Sequence, residues 1–293
     1  MDERLFTRLA SLVETQPVVL ASIVATRGAV PRRAGARMLV TREATELSVG
    51  GGLLESRVVD AARELLANPD ATVTALSIDL TGRAGSAGVC GGTVSLALRR
   101  WHGDGDCARA RELARTLQTG QRAVLAAHES GHDVAATLVP DERLLIVGAG
   151  HCAHALYELA RHLEYEIVVY DRRQECFAEA QFASAIRLVG PPSELARALD
   201  TPREVHAVLL NRDFASDIAA LEVLCTRPPA LMTMMGSRKR IAEVTAALPH
   251  HAAALERLVA PCGIEIDAET PHEIAVSILA QLVAFRRSRV GSG

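Results

Sequence analysis

The sequence predicts a two-part α/β protein whose second half is a doubly wound parallel sheet. Three observations carry this. From about residue 142 onward, short apolar strand-like runs alternate with helical patterns, the arrangement that gives parallel βαβ units. Within that region, Arg143–Arg172 reads strand, Gly148-Ala149-Gly150-x-x-Ala153, amphipathic helix, strand, acid. The polar stretch Pro140-Asp141-Glu142 separates it from an N-terminal half with strands and helices of its own, and 293 residues suffice for two medium domains. The expected division is 1–139 and 140–293.

Taken in order, Leu5, Phe6, Leu9, Leu12 and Val13 fall on one face of an opening helix. Val18–Ala25 is a continuous apolar run that ends in the turn-rich segment Thr26–Arg33. Met38–Thr41 and Glu46–Val49 read as a strand pair. The second of these enters Gly50-Gly51-Gly52 and then a helix with Leu54, Val58, Ala62 and Leu65 on its apolar side. Val73–Ile78 and Thr93–Leu98 are strands around the glycine-rich loop Gly82–Gly92. A helix over Cys107–Leu117 and short strands near Ala123–Ala127 and Val134–Val139 close this half. The second half continues after its βαβ unit with strands Ile186–Val189, Val205–Leu210 and Leu231–Met235. Helices begin at Ser193, cover Asp217–Leu224 and open at Thr270-Pro271-His272-Glu273, where Thr270 and Glu273 can form a capping box.

Composition excludes several roles. Hydrophobic residues at 49% can fill a packed core, and no apolar run approaches the length of a membrane span. A net charge of −3 and nine aromatic residues argue against a nucleic-acid binder, which needs cations and stacking platforms. The N-terminus is an amphipathic helix of mixed charge and not a secretory signal, so a cytoplasmic location is expected. The six cysteines lie far apart with no C-x-x-C, against a disulfide framework or a sequence-local zinc site. His250-His251 and the pair His151 and His154 have no acidic ligand set close by in sequence.

The candidate site lies at the carboxyl ends of the C-terminal strands, where ligands bind on such sheets. Gly148 permits a tight turn and Gly150 a close approach to an anion. Ala153 is small enough for helix to pack on strand, and the helix N-terminus from His151 offers free N–H groups to a phosphate. Asp171, 21 residues beyond Gly150, stands where an acid can meet a ribose hydroxyl. Gly236-Ser237-Arg238-Lys239-Arg240, a glycine, a hydroxyl and three cations at a strand end, suits an anion, or else is a basic turn that starts a helix. Gly51 and Gly52 before a helix form either an anion nest or a tight turn, and Glu55 complements the helix dipole. Cys90, in the glycine-rich loop, is the cysteine best placed for soft-metal or sulfur chemistry, although most free cysteines are packing residues.

Several stretches together resemble the XdhC/CoxI family, accessory proteins of xanthine dehydrogenase and related molybdenum hydroxylases. They are Gly28-Ala29-Val30-Pro31-Arg32, Gly35-Ala36-Arg37-Met38, Gly50-Gly51-Gly52-Leu53-Leu54-Glu55, Cys90-Gly91-Gly92, Val147–His151, Met235–Lys239 and Glu269–Ile278. The resemblance implies an XdhC-type α/β domain followed by a Rossmann-like domain, commonly as a dimer. It also implies a non-catalytic chaperone that binds and protects the molybdenum cofactor (molybdopterin), assists its sulfuration and inserts it into an apo-hydroxylase. Its partners would be a cysteine desulfurase and the molybdenum-binding subunit of the hydroxylase. The sequence departs from the family pattern at Asn211-Arg212, where a Thr-His pair is common, and at Asp267, where glycine is usual. One rival is an NAD(P)-dependent oxidoreductase built on the same βαβ unit. Against it, the chain's three tyrosines, Tyr157, Tyr165 and Tyr170, form no Tyr-x-x-x-Lys pair. A nucleotide-sensing scaffold without cargo is the other.

Overall fold

The structure, a computed structural model, describes residues 2–82, 91–177 and 181–290. The chain forms two compact units, Met1–Pro140 and Asp141–Gly293.

The first unit contains α1 (Asp2–Val13), β1 (Val18–Arg27), β2 (Arg37–Val40), β3 (Thr45–Leu47), α2 (Gly52–Ala67), β4 (Val73–Asp79), β5 (Thr93–Trp101), α3 (Gly103–Gln118), β6 (Ala123–Leu125), α4 (Ala127–Ser130) and β7 (Ala136–Leu138). An antiparallel sheet runs β3-β2-β1-β5-β4, and β6 pairs with β7. The apolar run in β1 is explained by the fold, which covers both faces of the strand. Val19, Ala21 and Ile23 pack with Leu54, Val58 and Ala62 of α2, while Val18 and Leu20 pack with Leu5, Phe6 and Leu9 of α1 and with Leu113 and Leu117 of α3. Alternate residues of a strand face opposite sides, so such a position needs a hydrophobe at every step.

The second unit contains β8 (Glu142–Val147), α5 (His151–Ala160), β9 (Tyr165–Asp171), β10 (Ile186–Val189), α6 (Pro192–Arg197), β11 (Val205–Leu209), α7 (Phe214–Thr226), β12 (Leu231–Met234), α8 (Arg238–Ala246), α9 (Ala252–Leu255), β13 (Leu258–Val259) and α10 (Pro271–Val290). Its strands are all parallel in the order β10-β9-β8-β11-β12-β13, the doubly wound Rossmann arrangement. One face, with Leu144, Ile146, Ile167 and Val169, packs against α5 and α10. The other, with Leu145, Val147, Val168 and Leu209, packs against α6, α7 and α8. The sixth strand departs from the sequence expectation; two residues are too few to show a period. α10 opens on its capping box: Thr270 Oγ1 accepts from Glu273 N at 3.3 Å, and Glu273 accepts from Thr270 N at 2.9 Å.

The order places a switch point between β8 and β11. From β8 the chain crosses to β9 on one side, and the later strands build out on the other. The loops after β8, β9 and β11 converge there.

Candidate functional site at the carboxyl ends of the parallel sheet

The turn after β8 is a glycine turn by necessity. Gly148 has φ +99°, and a Cβ there would stand 2.9 Å from Asn211 Oδ1 and 3.1 Å from Asn211 N. Gly150 then caps α5 in an extended conformation with no side-chain cap, and the first N–H groups of the helix have no helical acceptors. Ala153 is fully buried at the helix–sheet contact.

Asp171, at the end of β9, is buried and fully engaged by its own neighbourhood. Its carboxylate accepts from Ala149 N at 2.8 Å, from Arg173 N at 3.0 Å and from the Arg173 guanidinium at both oxygens. Burial alone would raise its pKa, but the hydrogen bonds from Arg173 and Ala149 outweigh it and hold the carboxyl below the usual range. Asp171 thus joins the β8 turn to the β9 turn and fixes Arg173 above them.

Two cavities adjoin at this crest. The first, of about 480 Å3, is lined by Ala149, Gly150, His151, His154, Arg173, Cys176, Arg212 and His272 among others. The second, of about 380 Å3, is lined by Tyr170, Asp171, Arg172, Arg173, Asn211, Arg212, Asp213 and Ser216 with part of α7. Arg173 and Arg212 belong to both linings. Arg212 Nη2 donates to His151 Nδ1 at 2.8 Å, which orients the guanidinium along the α5 N-terminus. Two exposed cations, a helix start and loop amides at one place are groups chemically able to receive an anion.

Arg240 supports this crest from below. Its guanidinium reaches the carbonyl oxygens of Asn211, Arg212 and Asp213, each at 3.1 Å, and pairs with the buried carboxylate of Asp217. Asn211 Nδ2 donates to the same carboxylate at 3.1 Å. Burial keeps the Asp217 carboxyl above its ordinary pKa even so. Asn211 and Arg212, unusual for the sequence pattern, therefore have defined work: one braces the loop, the other faces both cavities.

The sequence-predicted residues divide as follows. Gly148 shapes the turn, Gly150 and His151 line the first cavity, and Asp171 lines the second. Gly236, Ser237, Arg238 and Lys239 line neither. Ser237 is the N-cap of α8, accepting from Arg240 N, while Arg238 and Lys239 point to solvent and Lys239 pairs loosely with Glu243 at 4.0 Å. A Cβ on Gly236 would meet only ordinary contacts with Arg240 and Ile241. In the first unit, Gly51 caps α2 and Gly52 has φ +59°. Glu55 there accepts from Ser48 Oγ at 2.6 Å. Cys90 lies outside the described residues.

The sequence points to the loops 171–173 and 211–213 and marks Arg212 as a departure from the family pattern, but it assigns no binding role to Arg173, Arg212, Cys176 or His272. Cys176 faces the first cavity, but burial, with Asp171 adding to it, raises its pKa and keeps it a thiol. His272 Nε2 and His154 Nδ1 both approach Glu158 Oε2, at 3.3 and 3.6 Å. Asp267 has φ +53°, so it retains the left-handed conformation for which glycine is usual, one that Asp tolerates better than most residues.

Among the described residues, no helix is long and apolar enough to cross a membrane. Residues 12–76 match the XdhC and CoxI family, and residues 144–282 match the XdhC Rossmann domain. The chain is 26% identical over 294 residues to an uncharacterized protein, YqeB, of Escherichia coli K12. That alignment covers 98% of this chain but 47% of YqeB, so the chain spans about half of that relative. It is 24% identical over 329 residues to a probable xanthine dehydrogenase subunit of Bacillus subtilis, covering 96% of this chain and 97% of the other. A crystal structure described as a xanthine dehydrogenase from Bacillus halodurans shares the fold, with a TM-score of 0.83 and 23% identity over 98% of this chain and 96% of that one. With both halves matched in order, the chain belongs to the XdhC and CoxI family.

Proposed function

We propose that this protein is an accessory factor of a xanthine dehydrogenase-type hydroxylase, and that its second unit carries the molybdenum cofactor as cargo. In this reading it shields the cofactor, assists its sulfuration and hands it to the molybdenum-binding subunit. The sulfur-supplying partner is a cysteine desulfurase, and the working form is a homodimer. The observation that supports the reading is the pair Arg173 and Arg212, shared by two cavities beside the α5 N-terminus. The cargo is a pterin carrying a phosphate, or a dinucleotide carrying a pyrophosphate. Either phosphate group suits two guanidiniums and free helix N–H groups. Two compartments divided by those cations accommodate the dinucleotide form, one nucleotide-like half on each side. Arg238 and Lys239, outside both linings, act in this reading as outer cations that draw the anion in without holding it.

The test is release of pterin and molybdenum from protein purified out of a cofactor-producing strain. Each guanidinium–phosphate contact is worth about 1.5–3 kcal/mol, so Arg173→Ala and Arg212→Ala should each lower retention by ~10-fold or more. R238A/K239A should have a smaller effect that vanishes at high salt. Unchanged pterin affinity in R173A/R212A would remove the crest from the site. Stoichiometric NAD(P)H without pterin would overturn the reading in favour of a dehydrogenase.

A further inference from the structure

Away from the crest, two neighbouring histidines meet an acid that the sequence does not place near them. Glu222 lies on α7, and His250 and His251 lie in the turn Pro249–His251 that leads into α9. His250 Nε2 is 2.9 Å and His251 Nε2 4.0 Å from the same oxygen, Glu222 Oε1, and the two rings stand 4.4 Å apart at 47°. The absence of an acidic partner near His250-His251 in sequence is thus made good by the fold.

We propose that Glu222, His250 and His251 form a binding site for a divalent transition-metal ion of the zinc class. Metal–ligand bonds of about 2.0–2.1 Å in tetrahedral geometry set neighbouring ligand atoms roughly 3.3 Å apart. The observed 2.9 and 4.0 Å straddle that value, and all three donor atoms lie within 4.8 Å of one another. A hydrogen bond explains only the shorter approach; at 4.0 Å the second imidazole nitrogen stands near the same oxygen but beyond hydrogen-bond reach. Two imidazoles and one carboxylate form a borderline donor set that suits Zn2+, Co2+ or Ni2+ and not Mg2+ or Ca2+. A fourth position stays open to water.

The backbone that presents the ligands is anchored, although the Glu222 and His250 side chains are about half exposed. Leu221 and Leu224 are fully buried and turn Glu222 outward, while Pro249 and the buried Leu248 fix the turn that presents both rings. Among the described residues, no Lys or Arg pairs with Glu222. The second His–carboxylate group in this unit, Glu142, Glu204 and His206, differs on this point. Arg286 stands 4.0 Å from Glu142 and Arg289 3.3 Å from Glu204, so its carboxylates already face cations. An ion at Glu222 would tie the middle of α7 to the α8–α9 connection, and α7 carries Ser216 of the second cavity.

The site is tested on tag-free, chelator-treated full-length protein by equilibrium dialysis with Zn2+ and by thermal unfolding with and without it, using Mg2+ as control. Wild type should bind one Zn2+ more per chain than H250A/H251A and show a Zn2+-dependent rise in Tm that the variant lacks. E222Q should weaken that Zn2+ by ~10-fold or more while leaving the metal-free Tm unchanged. Zinc held at thiols or elsewhere appears equally in wild type and variants and cancels in the difference. Equal Zn2+ stoichiometry and midpoint in wild type, H250A/H251A and E222Q would overturn the proposal, as would a Tm rise of the same size with Mg2+.

Discussion

At Gly148 a single missing Cβ decides whether the β8 and β11 loops can meet. Any side chain there faces a left-handed φ and the backbone of Asn211 at once. Gly148→Ala should therefore destabilise the second unit by about 1–3 kcal/mol, read from urea unfolding. A variant as stable as wild type would mean that the turn does not need glycine. This requirement is visible in the sequence, because G-x-G-x-x-A encodes backbone shape and needs no partner to be understood. Arg173 and Arg212 were not visible in the same way. They sit in different loops, 39 positions apart in the chain, and only the strand order brings them to one crest.

Among the elements, α8 shows why three consecutive cations cannot be treated as one patch. Successive helical residues turn by about 100°, so Arg238, Lys239 and Arg240 must face different ways. Arg240 turns inward and becomes a brace for the 211–213 backbone and the counter-charge of Asp217, whose side chain is 1% exposed. Arg240→Ala would leave that carboxylate buried beside Asn211 alone. The expected cost is about 3–5 kcal/mol, and adding Asp217→Asn to R240A should recover part of it in the same unfolding experiment. A loss below ~1 kcal/mol would show that the pair does not brace the loop. The same geometry explains what was legible and what was not. The basic run marks a strand end and a helix start, but which cation faces inward depends on the phase of a helix whose first residue the sequence leaves open. In the same manner β13, only two residues long, carries no pattern, whereas β8, β9 and β11 are long enough to show theirs.

At the scale of the whole molecule, each unit closes its own core. In the second unit the two ends of the parallel strands have opposite character. The carboxyl ends present open cations, whereas the amino ends bury His206, with Glu142 Oε2, His206 Nδ1 and Tyr165 Oη lacking hydrogen-bond partners. Burial pushes Glu142 up to about 7, with Glu204 and Asp141 adding to it against Arg286. It also pushes His206 below its ordinary value despite Glu204. A carboxyl whose pKa is higher folded than unfolded contributes stability that is fully present below the unfolded value and lost as pH rises through the folded one. Glu142 should therefore weaken the fold progressively between about pH 4.5 and 7. His206 acts oppositely, since a depressed imidazole favours the fold at higher pH and loses that contribution on acidification. Glu142→Gln isolates the carboxyl: relative to wild type it should gain stability from about pH 4.5 to about pH 7 and level off above that. A stability difference that is flat across that range would mean that Glu142 titrates normally.

One feature of the crest, the closed ring of bonds around Asp171, bears on which guests are turned away. A sugar diol seeking that carboxylate must first evict a bidentate guanidinium, and the evicted cation would then lack its counter-charge. A phosphate asks for no eviction, because it approaches the outer edge of Arg173 while the inner edge keeps its grip. If the crest holds a ligand as proposed, the locked acid would favour molecules that lead with a phosphate over those that lead with a ribose.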